Sequence, residues 1–456
     1  MKKAIYLITL LSIFGLSYST NAQPLAGGRA FTLAVCEINT AWAWGANANG
    51  QLGNGNNTDS NVPVTVNSLT GITDVSCGDR HSLALKNNGT VWAWGDNSNG
   101  ALGNGTNTSS NIPVGISSLT GITAIAGGRY HSLALRNDST VWAWGFNGEG
   151  ALGNGTYTSS NVPIPLTSLT GIIAIAAGTN FSLALRKDGT VWAWGFNTDG
   201  ELGNGTNIKS NVPIPVTALS GIIAISCGYF HSLALKNNGT VWAWGFNSSG
   251  QLGNGNSTSS NVPIAITSIA GVTNIAGGRS HSLAVKNDGT VWAWGSNGSG
   301  QLGDGTGTSS NHPVQVSLLS DISSIAAGEQ HSLARKNDGS AWAWGSNGNG
   351  ELGNGTNTNS NVPMQVGGLC PLLSINELAA QISLSVFPNP NNGRFTLALS
   401  KEKGTVEIYN IIGKMIYQSE IRNLRSEIDI TNQPKGIYFV RFTDKQKMQT
   451  EKIVIQ

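Results

Sequence analysis

The chain has 456 residues and a net charge of +2, and 11% of its residues are charged, against about 25% in an average domain. Such a length can bury a large core, and 60 glycines with few charges are typical of many tight turns between short strands. Residues 24–370 carry 13 basic and 16 acidic side chains. This balance lacks the dense basic patch that a phosphate backbone requires, so we expect no nucleic-acid partner.

The first 22 residues have the order of a secretory signal peptide. Lys2 and Lys3 precede an apolar run, residues 4–16, which is followed by small residues up to Ala22. The run is shorter than the roughly 20 residues that span a bilayer, so we expect no membrane span. We predict cleavage after Ala22 and export from the cytoplasm; the alternative interpretation is a buried N-terminal strand.

A tryptophan motif recurs every fifty residues through most of the chain. Trp42-Ala43-Trp44-Gly45 is the first of seven copies, Trp342-Ala343-Trp344-Gly345 is the last, and together they contain all 14 tryptophans. A fixed period of this length indicates a propeller or a solenoid. One period, from Gly121, contains four short segments rich in β-branched and apolar residues that are separated by turn residues. The sequence therefore predicts seven four-stranded blades, an all-β propeller over residues 23–370.

The order of motifs within one period resembles a known family. His-Ser-Leu-Ala-Leu (131–135) is followed by Thr-Val-Trp-Ala-Trp-Gly (140–145), then Leu-Gly-Asn-Gly (152–155), then Pro163. This pattern resembles the regulator of chromosome condensation repeat family. The resemblance implies a closed seven-bladed β-propeller, but members of that family serve unrelated tasks, so it does not fix an activity.

Two cysteines stand where the other copies have different residues. Cys36 replaces a lysine or arginine, and Cys370 replaces a threonine or serine. Because the two ends of the repeat region complement each other and an exported protein can keep a disulfide, we predict that Cys36 and Cys370 form a bond that clasps the ring. Cys77 and Cys227 occupy a slot of small residues and are expected to be buried and unbonded.

Several residues that suggest chemistry have a simpler structural interpretation. Both tryptophans of each motif share one strand face, so core packing is favoured over a binding surface or a light-sensing array. Adjacent His and Ser residues such as His131 and Ser132 point to opposite faces of a strand, and Phe31 and Phe181 replace the histidine in two copies. Asp96 opens a turn rather than a calcium loop, because no acid closes it. We expect no metal and no cofactor.

The copies differ most in two loops that emerge on one face of the propeller. The aromatic residues in or beside these loops are Phe146, Phe196, Phe246, Tyr130, Tyr157, Tyr229 and Phe230. Exposed aromatic clusters are typical of protein or carbohydrate contacts, so we predict that these residues form a binding surface. The alternative is that the phenylalanines merely plug the loop bases.

The fifty-residue period ends before the C-terminus. Residues 371–383 are predicted to be a linker, and residues 384–456 contain alternating β-rich runs that predict a small β-sandwich. Pro388-Asn389-Pro390, Gly413 and Lys435-Gly436-Ile437-Tyr438, in this order, resemble the type A sorting domain of the type IX secretion system of Bacteroidetes-like bacteria. The resemblance implies recognition by that secretion machinery and passage through the periplasm and the outer membrane. The alternative is an ordinary accessory sandwich.

These observations lead to two functional hypotheses. The first is a secreted or outer-membrane surface propeller, not an enzyme, that binds a protein or a glycan through its variable face. The second is a sugar-active enzyme or an enzyme inhibitor that uses the same face, for which Glu149, Asp199 and Glu201 are the main acids specific to single blades. Near-identical blades offer few unlike ionisable groups that could converge, which favours the first hypothesis.

Overall fold

The computed structural model describes residues 24–36, 39–370, 384–399, 403–444 and 447–456. The predicted signal peptide and the predicted linker therefore lie outside the described residues. The chain divides into two compact units, Met1–Cys370 and Pro371–Gln456.

In the described residues of the first unit, 28 strands form seven four-stranded antiparallel sheets, each a blade of contiguous chain, as the all-β propeller prediction requires. The strands of blades 1 to 4 are β1 (Leu25–Gly27), β2 (Phe31–Val35), β3 (Thr40–Gly45), β4 (Ser60–Thr70), β5 (Ile72–Cys77), β6 (His81–Lys86), β7 (Val91–Gly95), β8 (Ser110–Gly115), β9 (Ile122–Gly127), β10 (His131–Arg136), β11 (Val141–Gly145), β12 (Ser160–Leu166), β13 (Ile172–Ala177), β14 (Phe181–Arg186), β15 (Val191–Gly195) and β16 (Ser210–Pro215). Those of blades 5 to 7 are β17 (Ile222–Cys227), β18 (His231–Lys236), β19 (Val241–Gly245), β20 (Ser260–Ile266), β21 (Val272–Gly277), β22 (His281–Lys286), β23 (Val291–Gly295), β24 (Ser310–Gln315), β25 (Ile322–Ala327), β26 (His331–Lys336), β27 (Ala341–Gly345) and β28 (Ser360–Gln365).

Each blade is an up-and-down meander whose first strand lies innermost. In blade 3, β10 pairs with both β9 and β11, in a register that sets His131 opposite Gly145. The first strands of the seven blades line a central cavity of about 270 Å³. The first strands lie close together around the propeller axis, and small residues such as Gly127 line the cavity there. A Cβ at Gly127 would lie 2.7 Å from the main chain of Cys77 in the neighbouring blade.

Apolar side chains fill the space between adjacent blades. Between blades 3 and 4, for example, Leu133 and Leu152 pack with Trp194. The second tryptophan of every motif is fully buried, and its indole Nε1 donates to a main-chain carbonyl of the preceding blade, as from Trp94 to Gln51 O at 2.8 Å. Core packing is therefore confirmed for this tryptophan. The first tryptophan is only half-buried, and in five blades a lysine or arginine lies over its ring, such as Arg136 over Trp142.

The buried histidines also join adjacent blades. His81 Nε2 lies 2.9 Å from Ser132 Oγ of the following blade, and the same bond recurs at His131, His231 and His281. Because the Ser132 hydroxyl donates to Ala101 O, it accepts from the imidazole N–H. The structure thus pairs each of these histidines with a serine of the next blade rather than with its own neighbour. This pairing supports the structural interpretation.

Blades 7 and 1 share no strand among the described residues, and the ring closes through side-chain contacts together with main-chain bonds such as that from Gly355 N to Asn61 O at 2.9 Å. Cys36 and Cys370 form a disulfide with Cα atoms 5.4 Å apart. Next to it, the buried guanidinium of Arg335 donates to Val35 O at 3.2 Å. Trp44 Nε1 donates to Glu351 O at 2.7 Å, which is the same contact that joins the other blades.

The second unit is a small β-sandwich. Its strands are β29 (Leu384–Phe387), β30 (Arg394–Leu399), β31 (Gly404–Asn410), β32 (Met415–Ile421), β33 (Arg425–Asp429), β34 (Gly436–Asp444) and β35 (Lys447–Ile455). They form a three-stranded sheet, β29-β30-β33, and a four-stranded sheet, β32-β31-β34-β35. Leu397, Val406 and Phe442 belong to one buried core with residues from both sheets. The predicted C-terminal β-sandwich is confirmed.

We predict that replacing both Cys36 and Cys370 by serine lowers the free energy of unfolding by roughly 5 kcal/mol, because the bond closes a very long loop in the unfolded chain. Urea unfolding of the full chain without reductant measures this. The matched control is Cys227→Ala, since Ala177 and Ala327 occupy its slot. Equal unfolding midpoints for the double variant and the control would contradict the prediction.

We predict that acid destabilises the propeller through its buried histidines. Burial lowers the pKa of His81 to about 4 and those of His131, His231 and His281 to about 3, below the usual value near 6.5. The unfolded chain therefore binds more protons, and stability is lost as the pH falls below about 6.5, by about 1.4 kcal/mol per pH unit for each histidine.

The variant that checks this is His281→Phe, because Phe31 and Phe181 fill the same slot. The unfolding free energy, measured between pH 7 and pH 5, should fall less steeply with decreasing pH in the variant. The difference in slope should be up to about 1.4 kcal/mol per pH unit, which corresponds to one proton. An unchanged slope would show that His281 is not the titrating group.

Candidate functional site

The variable loops lie on one end of the propeller, which we call the loop face. It carries the loop between the first and second strands of each blade and the loop between the third and fourth strands. The two are joined in blade 3 by a bond from Phe146 N to Tyr130 O at 2.8 Å, and in the other blades by its equivalents. The fully buried Asn147 shapes the longer loop: its Oδ1 accepts from Leu152 N and its Nδ2 donates to Thr156 O. The loop face is therefore a rigid frame that presents a few variable side chains.

Seven residues surround the mouth of the central cavity on this face, and we call them the axial ring. The axial ring is Arg29, Asp79, Arg129, Thr179, Tyr229, Arg279 and Glu329, one from each blade. The amide of each donates to a carbonyl of the equivalent loop in the next blade, at 3.1 to 3.4 Å. The set closes with the bond from Glu329 N to Gly28 O at 3.1 Å.

Ion pairs and one long-range hydrogen bond order the side chains of the axial ring. Glu329 bonds both Arg29, at 3.0 Å, and Arg279. Asp79 pairs with Arg129 at 3.2 Å and accepts a hydrogen bond from the Tyr229 hydroxyl, three blades away, at 2.6 Å. Burial raises the pKa of Asp79, although the Tyr229 bond and the Arg129 charge act in the opposite direction. The hydrogen bond from Tyr229 thus links blades 5 and 2 across the mouth of the cavity.

The other predicted aromatic residues, apart from Tyr157, gather in blades 3 to 5. This aromatic sector is Tyr130, Phe146, Phe196, Phe230 and Phe246. Tyr130 meets Phe146 edge to face with ring centroids 6.4 Å apart, and Phe230 meets Phe246 in the same way at 6.3 Å. All five side chains are half-buried, and Phe196 packs against the core between blades 4 and 5. Phe196 therefore plugs a loop base in part, as the alternative interpretation holds.

Tyr157 lies further out, where blades 3 and 4 meet. Its side chain is 47% exposed, and Lys209 Nζ lies 4.9 Å above its ring. Lys209 also pairs with Glu149 at 3.1 Å, and the neighbouring Ile208 is 73% exposed. The other blades carry asparagine, serine or glycine in the slot of Tyr157, threonine in that of Ile208, and no lysine in that of Lys209. A slot-by-slot comparison of the copies would have revealed Ile208 and Lys209, which our sequence analysis did not single out.

Two of the three acids proposed for a sugar-active site, Glu149 and Glu201, have local structural partners. Glu149 is held by Lys209. Glu201 is fully buried and accepts from Asp199 N at 3.0 Å, as Gln251 accepts from Ser249 N in the next blade. Burial raises the pKa of Asp199, and that of Glu201 to about 7. The shared bond indicates that Glu201 serves the loop frame.

Within the part of the chain that the structure describes, no group of three or more His, Cys, Asp or Glu side chains could hold a metal ion. The described ranges also contain no helix of sufficient length and apolarity to cross a membrane.

The fold and the loop face define a class of protein, a seven-bladed propeller that carries its variable residues on one face, with a separate C-terminal sandwich. Residues 116–386, more than half of the chain, match the RCC1-like domain family. Residues 39–85 and 88–135 match the regulator of chromosome condensation (RCC1) repeat. The chain belongs to the RCC1-like domain family. Residues 385–456 match the secretion system C-terminal sorting domain, which indicates export by the type IX system to the cell surface or beyond.

Solved structures of similar proteins share the propeller. Human WBSCR16 is 27% identical with a TM-score of 0.63, over 69% of this chain and 86% of that one. Prp20p from Saccharomyces cerevisiae is 24% identical with a TM-score of 0.65, over 77% of this chain and 88% of that one. The second similarity shows the fold alone.

Curated relatives match only short segments. A mitochondrial RCC1 domain-containing protein, RUG3 of Arabidopsis thaliana, is 45% identical over 58 residues, which are 12% of this chain and 13% of that protein. An endo-acting ulvan lyase of Formosa agariphila is 36% identical over 86 residues, 18% of this chain and 17% of the lyase. Segments of this size identify no activity for the whole chain.

We predict that Glu201→Gln stabilises the propeller at alkaline pH. A carboxyl whose folded pKa is raised to about 7 stabilises the fold only while it is protonated, and that contribution is lost as the pH rises from about 4.5 to 7. Glutamine keeps the bond to Asp199 N without the buried charge, so unfolding free energy at pH 8 should rise by about 1 kcal/mol.

The natural reference for this variant is blade 5, where Gln251 and Phe246 occupy the slots of Glu201 and Phe196. Urea unfolding at pH 8 and pH 5 measures the effect, which should shrink at pH 5. A variant that is less stable than the parent at pH 8 would contradict the prediction and would assign the carboxylate a role that an amide cannot fill.

Proposed function

We propose that this protein is a non-enzymatic binding module that is secreted or displayed on the outer-membrane surface, and that its loop face engages a partner protein. The observation that carries the proposal is the aromatic sector, which occupies blades 3 to 5 while the equivalent slots of blades 6 and 7 hold serine and glutamine. Large aromatic side chains on a rigid surface are the residues that most often dominate protein–protein binding. Yeast Prp20p, which shares the fold, is described as binding Gsp1p and histones.

A protein partner fits this surface better than a glycan. Sugar rings stack on open aromatic faces, but Arg129 lies 4.8 Å above the ring of Tyr130 and Lys209 lies 4.9 Å above that of Tyr157. Phe146 and Phe246 meet their neighbours edge to face. Their half-buried rings are suited to contact with apolar side chains of a partner protein.

An enzyme is less well supported. Lys209 holds Glu149 and the loop frame holds Glu201, so of these three described acids Asp199 alone keeps a carboxyl group without a partner, whereas glycoside hydrolysis uses two. An enzyme-directed inhibitor is one form that a protein-binding module can take, and the proposal includes it.

The C-terminal domain supports a proposal for the export route of the protein and for its final location. We propose that the signal peptide, residues 1–22, directs export to the periplasm, and that the type IX machinery of a Bacteroidetes-like bacterium then carries the chain outward by its domain 384–456. The propeller, residues 23–370, is the part that acts after export, and residues 371–383 link the two. No cofactor is needed for binding.

We predict that the combined change Phe146→Ser, Phe230→Ser and Phe246→Ser abolishes partner capture. Serine fills these slots in blade 6, so the loops should keep their fold. Losing a central aromatic anchor costs about 2 kcal/mol or more, so affinity should fall by well over tenfold. The measurement is capture from envelope and medium fractions by the purified full chain, with the captured protein identified and its affinity determined.

Val262→His is the matched control, because it removes an exposed apolar residue from the outer edge of blade 5 and His312 fills its slot in blade 6. It should leave capture unchanged. If the triple variant captures the same protein with the parent's affinity, the binding surface lies elsewhere.

A further inference from the structure

The axial ring contains a charge arrangement that the aromatic sector does not explain. Two guanidinium groups, Arg29 from blade 1 and Arg279 from blade 6, share one carboxylate, Glu329 from blade 7. One positive charge of this triad is therefore uncompensated. Asp79 pairs with Arg129 and also lies within electrostatic reach of Arg29 and Glu329. The axial ring as a whole still has three guanidinium groups and two carboxylates, so one positive charge remains uncompensated.

The triad also presents its positive groups to solvent and keeps its negative group below them. The side chains of Arg29 and Arg279 are 44% and 46% exposed, whereas that of Glu329 is 12% exposed. Arg29 bonds through Nε and Arg279 through Nη1, and their other guanidinium nitrogen atoms have no hydrogen-bond partner among the described residues. Solvent therefore meets two guanidinium edges with unused donors.

Glu329 fixes these edges in place before any ligand arrives. Holding a long side chain in its bound rotamer is part of the cost of association, and here the ion pairs meet that cost in the free protein. The closed ring of main-chain bonds holds the three Cα positions as well. Two ordered guanidinium groups over a shared carboxylate are suited to a second carboxylate, which each can bind in a fork.

We propose that the triad of Arg29, Glu329 and Arg279 is an anion site that takes the carboxylate of an aspartate or glutamate side chain on an acidic peptide segment. This proposal rests on the proposed function, since it supplies a second contact with the same partner protein. The loop face would then pair an apolar contact in blades 3 to 5 with an acidic one between blades 6 and 1.

A peptide carboxylate fits the triad better than the acid of a uronate sugar. The loop residues beside the triad are not aromatic: Ala30, Ala46, Ser280, Ser296, Gln330 and Ser346. They offer no aromatic platform for a sugar ring on that side of the mouth. A carboxylate on a flexible side chain needs only the two guanidinium edges.

The test uses the purified full chain and a dye-labelled, end-capped hexaglutamate peptide, with hexagalacturonate as the second probe. Affinities are measured by fluorescence anisotropy and competition at roughly 0.01 M ionic strength, where charges are little screened. The variants are Arg29→Thr and Arg279→Thr, since Thr179 fills the same slot in blade 4. Each should weaken hexaglutamate binding about tenfold, because each removes a charged hydrogen-bond donor.

The control is Lys187→Asn, which removes one positive charge from an exposed turn on the opposite face, where five other blades carry asparagine. It should leave the affinity unchanged. Glu329→Gln should strengthen hexaglutamate binding, because the amide oxygen can still accept from a guanidinium group while the competing negative charge is gone. Loss of the fold would weaken binding instead.

Two results would overturn the proposal. If Arg29→Thr and Arg279→Thr bind hexaglutamate like the control, the triad is not the anion site. If hexagalacturonate binds more tightly than hexaglutamate and loses affinity in the same variants, the ligand is an acidic glycan instead. Neither measurement uses the partner protein, so the anion site can fail while capture through the aromatic sector stands, and the reverse.

Discussion

In each blade, one tryptophan indole donates its hydrogen to a main-chain carbonyl of the blade before it, and the arrangement of the ring depends on this contact. The bond from Trp94 to Gln51 O requires glycine at position 53, because a Cβ at Gly53 would lie 2.6 Å from the indole nitrogen. The indole also brings a large apolar surface into the space between the blades. Because this contact recurs in all seven blades, it fixes the position of each blade relative to the blade before it.

A scaffold set this firmly can tolerate variation in its loops. The buried Asn147 and its equivalents hold each long loop largely through main-chain groups, which any residue type supplies; Asn197 Nδ2, for example, donates to Ile208 O. The loop face can therefore change in composition from blade to blade while its backbone repeats. The aromatic sector, the Tyr157 and Lys209 contact, and the axial ring are three such changes on a common frame, and binding sites on loops over a rigid scaffold are frequent in proteins.

Comparison of the copies within one chain was informative about packing and less so about the site. The phenylalanines at 31 and 181 correctly marked the histidine slot as structural, because a ring of similar size fits there without any proton chemistry. The same comparison found the two variable loops. It did not indicate which residues of these loops turn toward the axis, so it missed Arg29 and Arg279. It also took the two tryptophans of a motif as equivalent, whereas only the second is fully buried.

The sequence by itself determined the period, the four strands of each blade, the seven copies and the separate C-terminal sandwich, since alternation and turn residues act over short stretches of chain. The tertiary structure decided what meets across the ring. Tyr229 bonds Asp79, which lies 150 residues away, and Glu329 joins Arg29 from a distance of 300 residues. Such pairs follow from the closure and curvature of the whole ring, and these properties are sums over seven interfaces that no local pattern encodes.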